Sequence, residues 1–220
     1  MNIDNFRRAI LAVGLVLPMS WTAGSVAAQT ARSFGVSVST PTINQTATSA
    51  ILPPGGDMVT NSGQSIAVGG LATAQDAFAI VSGGADPTYG SSAVSSATLG
   101  AVNLLDGLIT ADGVVAVASS TIGDAAVNSN AEGSSLANLV VGGVEVSDPA
   151  PNTRMDLPGV GYVLFNEQLE SGDGSTTSGM TVNMIHVVLQ QPVLGLLGQV
   201  TGYQTVGDII VGSATSSVTR

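Results

Sequence analysis

Cysteine and lysine are both absent from this 220-residue chain, and its single histidine is His186. Without cysteine there can be neither a disulfide framework nor a thioether-linked lipid anchor. One histidine and no thiol also leave too few ligands for a zinc site of the usual kind. The five positive residues are all arginine, against fifteen acidic ones, for a formal net charge of −10. Such a surface repels phosphate backbones and anionic lipid, which argues against nucleic acid or an anionic membrane as partner. Charged residues make up only 9% of the chain and hydrophobic ones 44%, where about 25% charge is usual for a globular domain. Solubility therefore rests on Ser, Thr, Asn, Gly and the backbone, a composition familiar in exported, β-rich proteins. Edge strands without lysine also lack the commonest guard against pairing, so self-association is expected.

The N-terminal stretch reads as a targeting segment. Arg7 and Arg8 precede an apolar run, Ala9 to Pro18, that is too short to span a bilayer, and "SVAA" (Ser25 to Ala28) supplies small residues for cleavage. The expectation is a cleaved secretory signal peptide at 1–28 and a single β-rich domain at 29–220, secreted or held in the cell envelope, extracellular or periplasmic. No transmembrane segment is expected in the mature chain. A mature chain of about 190 residues can bury roughly 70% of its unfolded surface without covalent staples.

After Ala28 helical periodicity is hard to find. Short β-branched runs bounded by Gly, Asp, Asn, Ser and Pro recur instead, among them "DAFAIVS" (Asp76 to Ser82), "SAVSSATLGAVNLL" (Ser92 to Leu105), "VGYVLFNEQLE" (Val160 to Glu170) and "GMTVNMIHVVLQ" (Gly179 to Gln190). Many short strands with Gly-rich turns predict an all-β fold, a single antiparallel β-sandwich, with a β-solenoid-like stack as the alternative. "GLATAQDAFAIVSG" (Gly70 to Gly83) aligns without gaps to "GLITADGVVAVASS" (Gly107 to Ser120). Two copies are too few for a solenoid, which needs about three, and favour paired hairpin-like units within one sandwich. Chance similarity in an Ala/Val/Thr-rich chain is the competing reading.

Strict alternation along "YVLFNEQ" puts Glu167 on the face of Val163 and Phe165, and places His186 on an apolar stripe with Val182, Met184 and Val188. "SGDGSTT" would close these two strands into a hairpin with Asp173 and Gly174 at its tip, making Glu167 and His186 neighbours. A half-buried Glu beside a His is raw material for acid–base chemistry, so a hydrolase using Glu167 and His186 is one reading. A carboxylate satisfied by hydrogen bonds at a sheet end, with His186 or Arg154 as partner, is the preferred one. No nucleophile elbow, phosphate loop or dinucleotide fingerprint accompanies them. Candidate calcium ligands are Asp106, Asp112 and Asp173 in acidic loops, although none follows an EF-hand or nonapeptide pattern. The aromatics Phe34, Phe78, Phe165, Tyr89, Tyr162 and Tyr203 are the candidates for a sugar-stacking platform and, more simply, for core.

The ordered segments "VNLLDGLITAD" (Val102 to Asp112), "GSSLANLVVGGVEV" (Gly133 to Val146), "PAPNTRMDLPGVGYVLFNEQ" (Pro149 to Gln168), "GMTVNMIHVVL" (Gly179 to Leu189) and "GDIIVGSATSSVT" (Gly207 to Thr219) together resemble the choice-of-anchor P family. With "FGVSVS" the resemblance covers nearly all of the chain after Ala28. It implies an exported bacterial surface or secreted domain with no assigned reaction, so no catalytic residue carries over. Asn166, Glu167, Gln168, Asn183 and His186 fall at the family's characteristic polar positions and are expected to be structural. The chain reads on to "SSVTR" without a sorting motif or hydrophobic tail, from which a released or non-covalently retained protein is expected. The expectation is thus a structural or interaction protein without a catalytic site or obligatory cofactor, partnered by itself or by other envelope components. A carbohydrate- or calcium-binding module is the alternative.

Overall fold

The computed structural model describes residues 28–86, 90–123 and 126–220. The expected signal peptide, apart from Ala28, and Tyr89 lie outside the described residues. All regular structure described is β-strand, numbered here in chain order. One sheet runs, edge to edge, β13 (Thr153–Leu157), β14 (Gly161–Gly172), β15 (Thr177–Leu194), β16 (Val200–Thr219), β1 (Ala28–Ser39) and β2 (Asn44–Ile51). The second, curled into a half-barrel, runs β10 (Ser135–Ala137), β8 (Gly113–Ile122), β5 (Gly90–Leu99), β4 (Ala72–Asp86), β6 (Val102–Leu104), β7 (Ile109–Ala111), β11 (Leu139–Val141) and β12 (Val144–Val146). Here β3 (Asp57–Val68) also pairs with β4, and β9 (Val127–Asn130) with β8. Every pairing is antiparallel, and β1, β15 and β16 pack across β4, β5 and β8. The molecule is therefore a β-sandwich; the solenoid alternative fails because no coil stacks in parallel on the next.

The strands depart from simple alternation in one systematic way. In β1 the alternating buried positions are Ala31 and Ser33, then Val36 and Val38, with Gly35 buried at the break; in β4 they are Ala72 and Ala74, then Ala77, Ala79 and Val81; in β16 they are Ile209 and Val211, then Ala214, Ser216 and Val218, with Gly212 and Ser213 buried at the break. Each strand skips a residue once, so the side that faces the core reverses parity. Side chains of a regular strand alternate with period two, and a residue outside the β region breaks the count. Such residues stand at Asn166 (φ 48°), Gly212 (φ 63°), Thr48 (φ 54°), Asp76 (φ 50°) and Asn138 (φ 50°).

These breaks are in register. Asn166 lies opposite Met184, Met184 opposite Gly212, Gly212 opposite Gly35, and Gly35 opposite Thr48. In the second sheet Gln64 lies opposite Asp76, next to which the Gly100 amide donates to the Gln75 carbonyl at 2.8 Å. The β7–β8 break at Asp112 meets Asn138, whose Nδ2 donates to Asp112 Oδ2 at 3.0 Å. The result is a belt of parity reversals across both sheets, with left-handed residues on alternate strands. Because neighbouring strands break at the same level, the ladder continues without the net slip of an isolated bulge.

The belt also explains the internal similarity. Ala72, Ala74, Ala77, Ala79 and Val81 on β4 align with Ile109, Ala111, Val114, Ala116 and Ala118 on β7 and β8, and all are buried. Both copies skip a residue at the same aligned place, between Ala74 and Ala77 and between Ala111 and Val114. They flank the bent β5–β6 run and pair with it, not with each other, which corrects the expectation of paired units.

Large apolar groups, including Phe165, Leu104, Ile109, Leu139, Met184 and Ile185, fill the main core. Beyond the belt, near Ala28 and Thr219, a second, smaller core mixes Ala31, Ala50, Ala79 and Ala93 with Leu52, Val81, Ile122, Val127 and Val218, and buried serines lie beside it. There Ser120 Oγ lies 2.7 Å from Ser129 Oγ and 2.8 Å from Ser216 Oγ, and Ser129 Oγ lies 2.8 Å from Ser178 Oγ. Small side chains and hydroxyl pairs let the layers close without aromatics. At Gly212 a Cβ would lie 2.6 Å from Val114 Cγ1 on the facing sheet. Gly212→Ala therefore meets both the left-handed penalty and overpacking. We expect it to lower unfolding free energy by about 2–4 kcal/mol in urea titrations; Asn166→Gly, which keeps the left-handed residue permissible, should change it by less than about 1 kcal/mol.

Candidate functional site

The belt decides where Glu167 points. Asn166 in the left-handed conformation turns Glu167 away from the face of Phe165, and the reversal at Met184 brings Asn183 and His186, three residues apart, onto one face. Strict alternation had placed Glu167 with Val163 and Phe165 and His186 with Val182; both assignments are corrected, since β15 turns Met180 and Val182 to the core on one side of Met184 and Ile185 and Val187 on the other. The hairpin itself forms as expected, with Gly172 opposite Ser178.

On this outer face a linear polar network runs across three strands. Ser213 Oγ donates to Asn183 Oδ1 at 2.7 Å, and Asn183 Nδ2 donates to Glu167 Oε2 at 2.7 Å. His186 Nδ1 donates to the same carboxylate oxygen at 2.9 Å, while its Nε2 lies 3.8 Å from Asp208 Oδ2, too far for a hydrogen bond. The Glu167 and His186 side chains are 12% and 19% exposed. The hydrogen bond from His186 holds the Glu167 carboxyl below its ordinary value; burial opposes this, and the Asn183 amide and the attraction of His186 reinforce it. Of the two expected partners His186 takes the role. Arg154 instead pairs with Asp156 at 3.2 Å and stacks 3.9 Å from the centroid of Tyr162.

Asn166 and Gln168 lie beside this network and are tied into a second clamp. Gln168 Nε2 donates to Asn166 Oδ1 at 2.9 Å, the Gln168 amide to Asn152 Oδ1 at 2.8 Å, and the Asn152 amide to the Asn166 carbonyl at 3.0 Å. Asn166, Glu167, Gln168, Asn183 and His186 thus fasten the belt where it crosses β14 and β15. Ser213 spends its proton on an amide carbonyl and has no base beside it, so it is not an activated nucleophile. Surface cavities of about 300, 460, 370 and 610 Å³ are lined by other residues. Glu167 and His186 do converge, and neither lines any of these four cavities.

The calcium candidates are not brought together. Asp106 sits in the β6–β7 turn with φ 55°, Asp112 accepts from Asn138, and Asp173 caps the β14–β15 turn by accepting from the amides of Ser175, Thr176 and Thr177 and from Thr176 Oγ1. Those bonds hold the Asp173 carboxyl far below its usual value. Among the described residues no group of three or more His, Asp or Glu is placed to hold a metal ion. The described aromatics do not form one platform either: Phe165 is core, Phe34 lies under Arg32 at 5.5 Å, Tyr162 lies under Arg154, and Tyr203 is exposed.

Two features were not anticipated. Past Leu189 the β15–β16 pair shifts register and runs on as a ribbon, with Gln190 opposite Thr205 and Leu194 opposite Val200, while β14 stops at Gly161 opposite Leu189 and β1 at Ser39 opposite Asp208. Its tip carries Leu196, fully exposed, and Leu197, 92% exposed, flanked by Val193, Leu194 and Val200. No residue from Gln190 to Gly207 is charged. The second is the cavity of about 460 Å³ at the ribbon's base, lined by Arg154, Asp156, Gln190 and Tyr203 among others. The uncharged run is the sequence signal for the ribbon; Pro192 and the glycines hide its strand character. No family model, curated protein or solved structure matches this chain.

A carboxyl with a lowered folded-state pKa stabilises the fold above its unfolded value, near 4.3, and loses that contribution as pH falls through the folded value. Glu167→Gln should cost about 2 kcal/mol at pH 7 and flatten the acid side of the stability–pH curve below about pH 5, read by denaturant titration at each pH. Asp173→Ala should speed amide exchange at Ser175 to Thr177, and added calcium should leave the melting temperature of the unsubstituted protein unchanged.

Proposed function

We propose that the chain is an exported structural or interaction protein of the cell envelope or extracellular space, acting through its surface and not through catalysis. The observation that carries this reading is the uncharged ribbon from Gln190 to Thr205, which exposes Leu196, Leu197 and Leu194 outside the sandwich. Contiguous exposed apolar groups of this kind mark interaction sites, and the ribbon edges offer unpaired backbone groups guarded only by Pro192. The Glu167–Asn183–His186 network supports the same reading, because Glu167 Oε2 accepts from both Asn183 and His186 and the Asn183 carbonyl accepts from Ser213. So do the leader-like residues 1–28 and the resemblance to exported choice-of-anchor domains. The test is Leu197→benzoylphenylalanine in the producing cell, followed by photo-crosslinking and fractionation. The reading expects adducts of the chain outside the cytoplasm; an uncrosslinked chain retained in the cytoplasm would overturn it.

A carbohydrate-binding module is the second reading, favoured by the cavity of about 460 Å³ where Tyr203, 68% exposed, stands near the Arg154–Asp156 pair and Gln190. An exposed ring with planar polar side chains is suited to a sugar face and its hydroxyls. On a panel of envelope glycans, binding that Tyr203→Ala reduces at least about tenfold, the loss of one stacking contact, would support this module. Absence of binding by the unsubstituted chain would remove it.

A further inference from the structure

The strand edges of this molecule are not equally protected. An open edge invites another strand, and charge, proline, shortness or a covering segment blunts it. Among the described residues β13 carries Arg154 and Asp156, and β10 and β12 are only three residues long. The part of β14 beyond β13 carries Glu170 and has its Gln168 amide capped by Asn152, while β2 lies against β3, with Asn61 Nδ2 donating to the Ser49 carbonyl at 3.0 Å. On the ribbon the β15 edge is closed twice: the Gln190 amide donates to the Val160 carbonyl at 2.7 Å, and Pro192 has no N–H to offer. The β16 edge differs. β1 stops at Ser39 opposite Asp208, and from Val200 to Val206 no residue is charged or proline.

The direction of the free groups follows from the Gln190 bond. Because the Gln190 N–H points away from β16, Gln190 and Thr205 face each other as a non-hydrogen-bonded pair, and so do Pro192 and Tyr203. Tyr203 and Thr205 therefore turn their own N–H and C=O groups outward, past the end of β1. Deepening the interaction reading, on which it rests, we propose that this edge pairs with the same edge of a second copy, antiparallel about a two-fold axis at Gln204. Tyr203 then lies opposite Thr205 of the second copy, and Thr205 opposite its Tyr203, each pair exchanging both of its N–H···O bonds. A surface that is its own partner is isologous and closes at the dimer, with both open edges consumed. The uncharged stretch is where two chains of net charge −10 approach with least repulsion. Composition fits the register too, since the axis sets each Tyr203 beside a Thr205, an aromatic–β-branched cross-strand pair. A bilayer is the poorer occupant, because its hydrocarbon would leave the outward N–H and C=O groups unsatisfied.

The test uses the exported protein. A single strand pair is a small interface, so sedimentation equilibrium covers about 10 μM to 1 mM. The unsubstituted protein should pass from monomer to dimer and stop there. Thr205→Pro removes an outward N–H that the ribbon itself does not use, and Tyr203→Lys puts a charge on the edge at a position 68% exposed; each should weaken dimerisation at least about tenfold. Should Thr205→Pro misfold by circular dichroism, Tyr203→Lys carries the comparison. The chain has no cysteine, so Gln204→Cys places one thiol per copy on the axis, in a non-hydrogen-bonded pair with Cα atoms about 4.5 Å apart and within disulfide reach. Oxidised glutathione should convert that variant to a covalent dimer, and Leu197→Cys at the tip should not follow. The proposal is overturned if the unsubstituted protein is monomeric throughout or grows past the dimer, if Tyr203→Lys leaves dimerisation unchanged, or if Gln204→Cys crosslinks no faster than Leu197→Cys. Photo-crosslinking of the ribbon to a different envelope component, with no self-association, would sink the pairing of copies while leaving the interaction reading standing.

Discussion

A strand changes which of its faces meets the core by breaking its alternation, and this chain does so once on strand after strand at the same level, with a left-handed residue on every second strand of the first sheet. The belt through Asn166, Met184, Gly212, Gly35, Thr48, Asp76 and Asn138 is the constraint from which the rest follows. Left-handed residues cost energy unless they are glycine, with Asn and Asp next most tolerant. Thr48, β-branched at φ 54°, is the exception, and it is held in place between Gly35 and Gly63. Matching the breaks between neighbours interrupts the ladder at one level and leaves the register the same on both sides of it. It also lets one strand serve two cores, the bulky one around Phe165 and the smaller, alanine-richer one beyond the belt.

The polar network is a consequence of the same break. Asn183 and His186 reach one carboxylate because the reversal between them puts positions three apart on one face. A carboxylate this buried must be paired or hydrogen-bonded, and Glu167 receives two donors, one from each side of the belt. The network therefore ties together the two halves of β15 at their weakest point, and through Ser213 fastens β16 as well. Its geometry is that of a clamp: the Glu167 carboxylate is held by Asn183 and His186, and Asn183 in turn by Ser213.

Much of the fold was legible. The β-branched runs, turn residues and lack of helical period specify an antiparallel sandwich, and "SGDGSTT" closes its hairpin with Asp173 capping the turn. The partnership of Glu167 with His186 was legible from that hairpin; the face they share was not. Alternation is read residue by residue, and nothing in "LFNEQ" announces that Asn166 is left-handed, because asparagine is equally at home in a regular edge or turn. The repeated Gly-Leu-x-Thr-Ala segments held the clue, since both copies carry their apolar positions out of phase across Asp76 and Gly113. The ribbon escaped because Pro192, Gly195, Gly198 and Gly202 read as loop, and strand character there comes from pairing between β15 and β16 alone.

The ribbon gives the molecule a direction: a charge-free arm projects past the ends of β14 and β1 at one pole of the belted sandwich. The claim on which the site and its reading depend is the reversal of faces at the belt, and side-chain contacts in solution test it most directly. In nuclear Overhauser spectra of methyl- and imidazole-labelled protein, the account predicts that Val182 and Ile185 methyls both contact facing-sheet core residues while the His186 ring contacts the Glu167 side chain. Contacts placing Glu167 beside Val163 and Phe165 in the core, with His186 on the face of Val182, would contradict it.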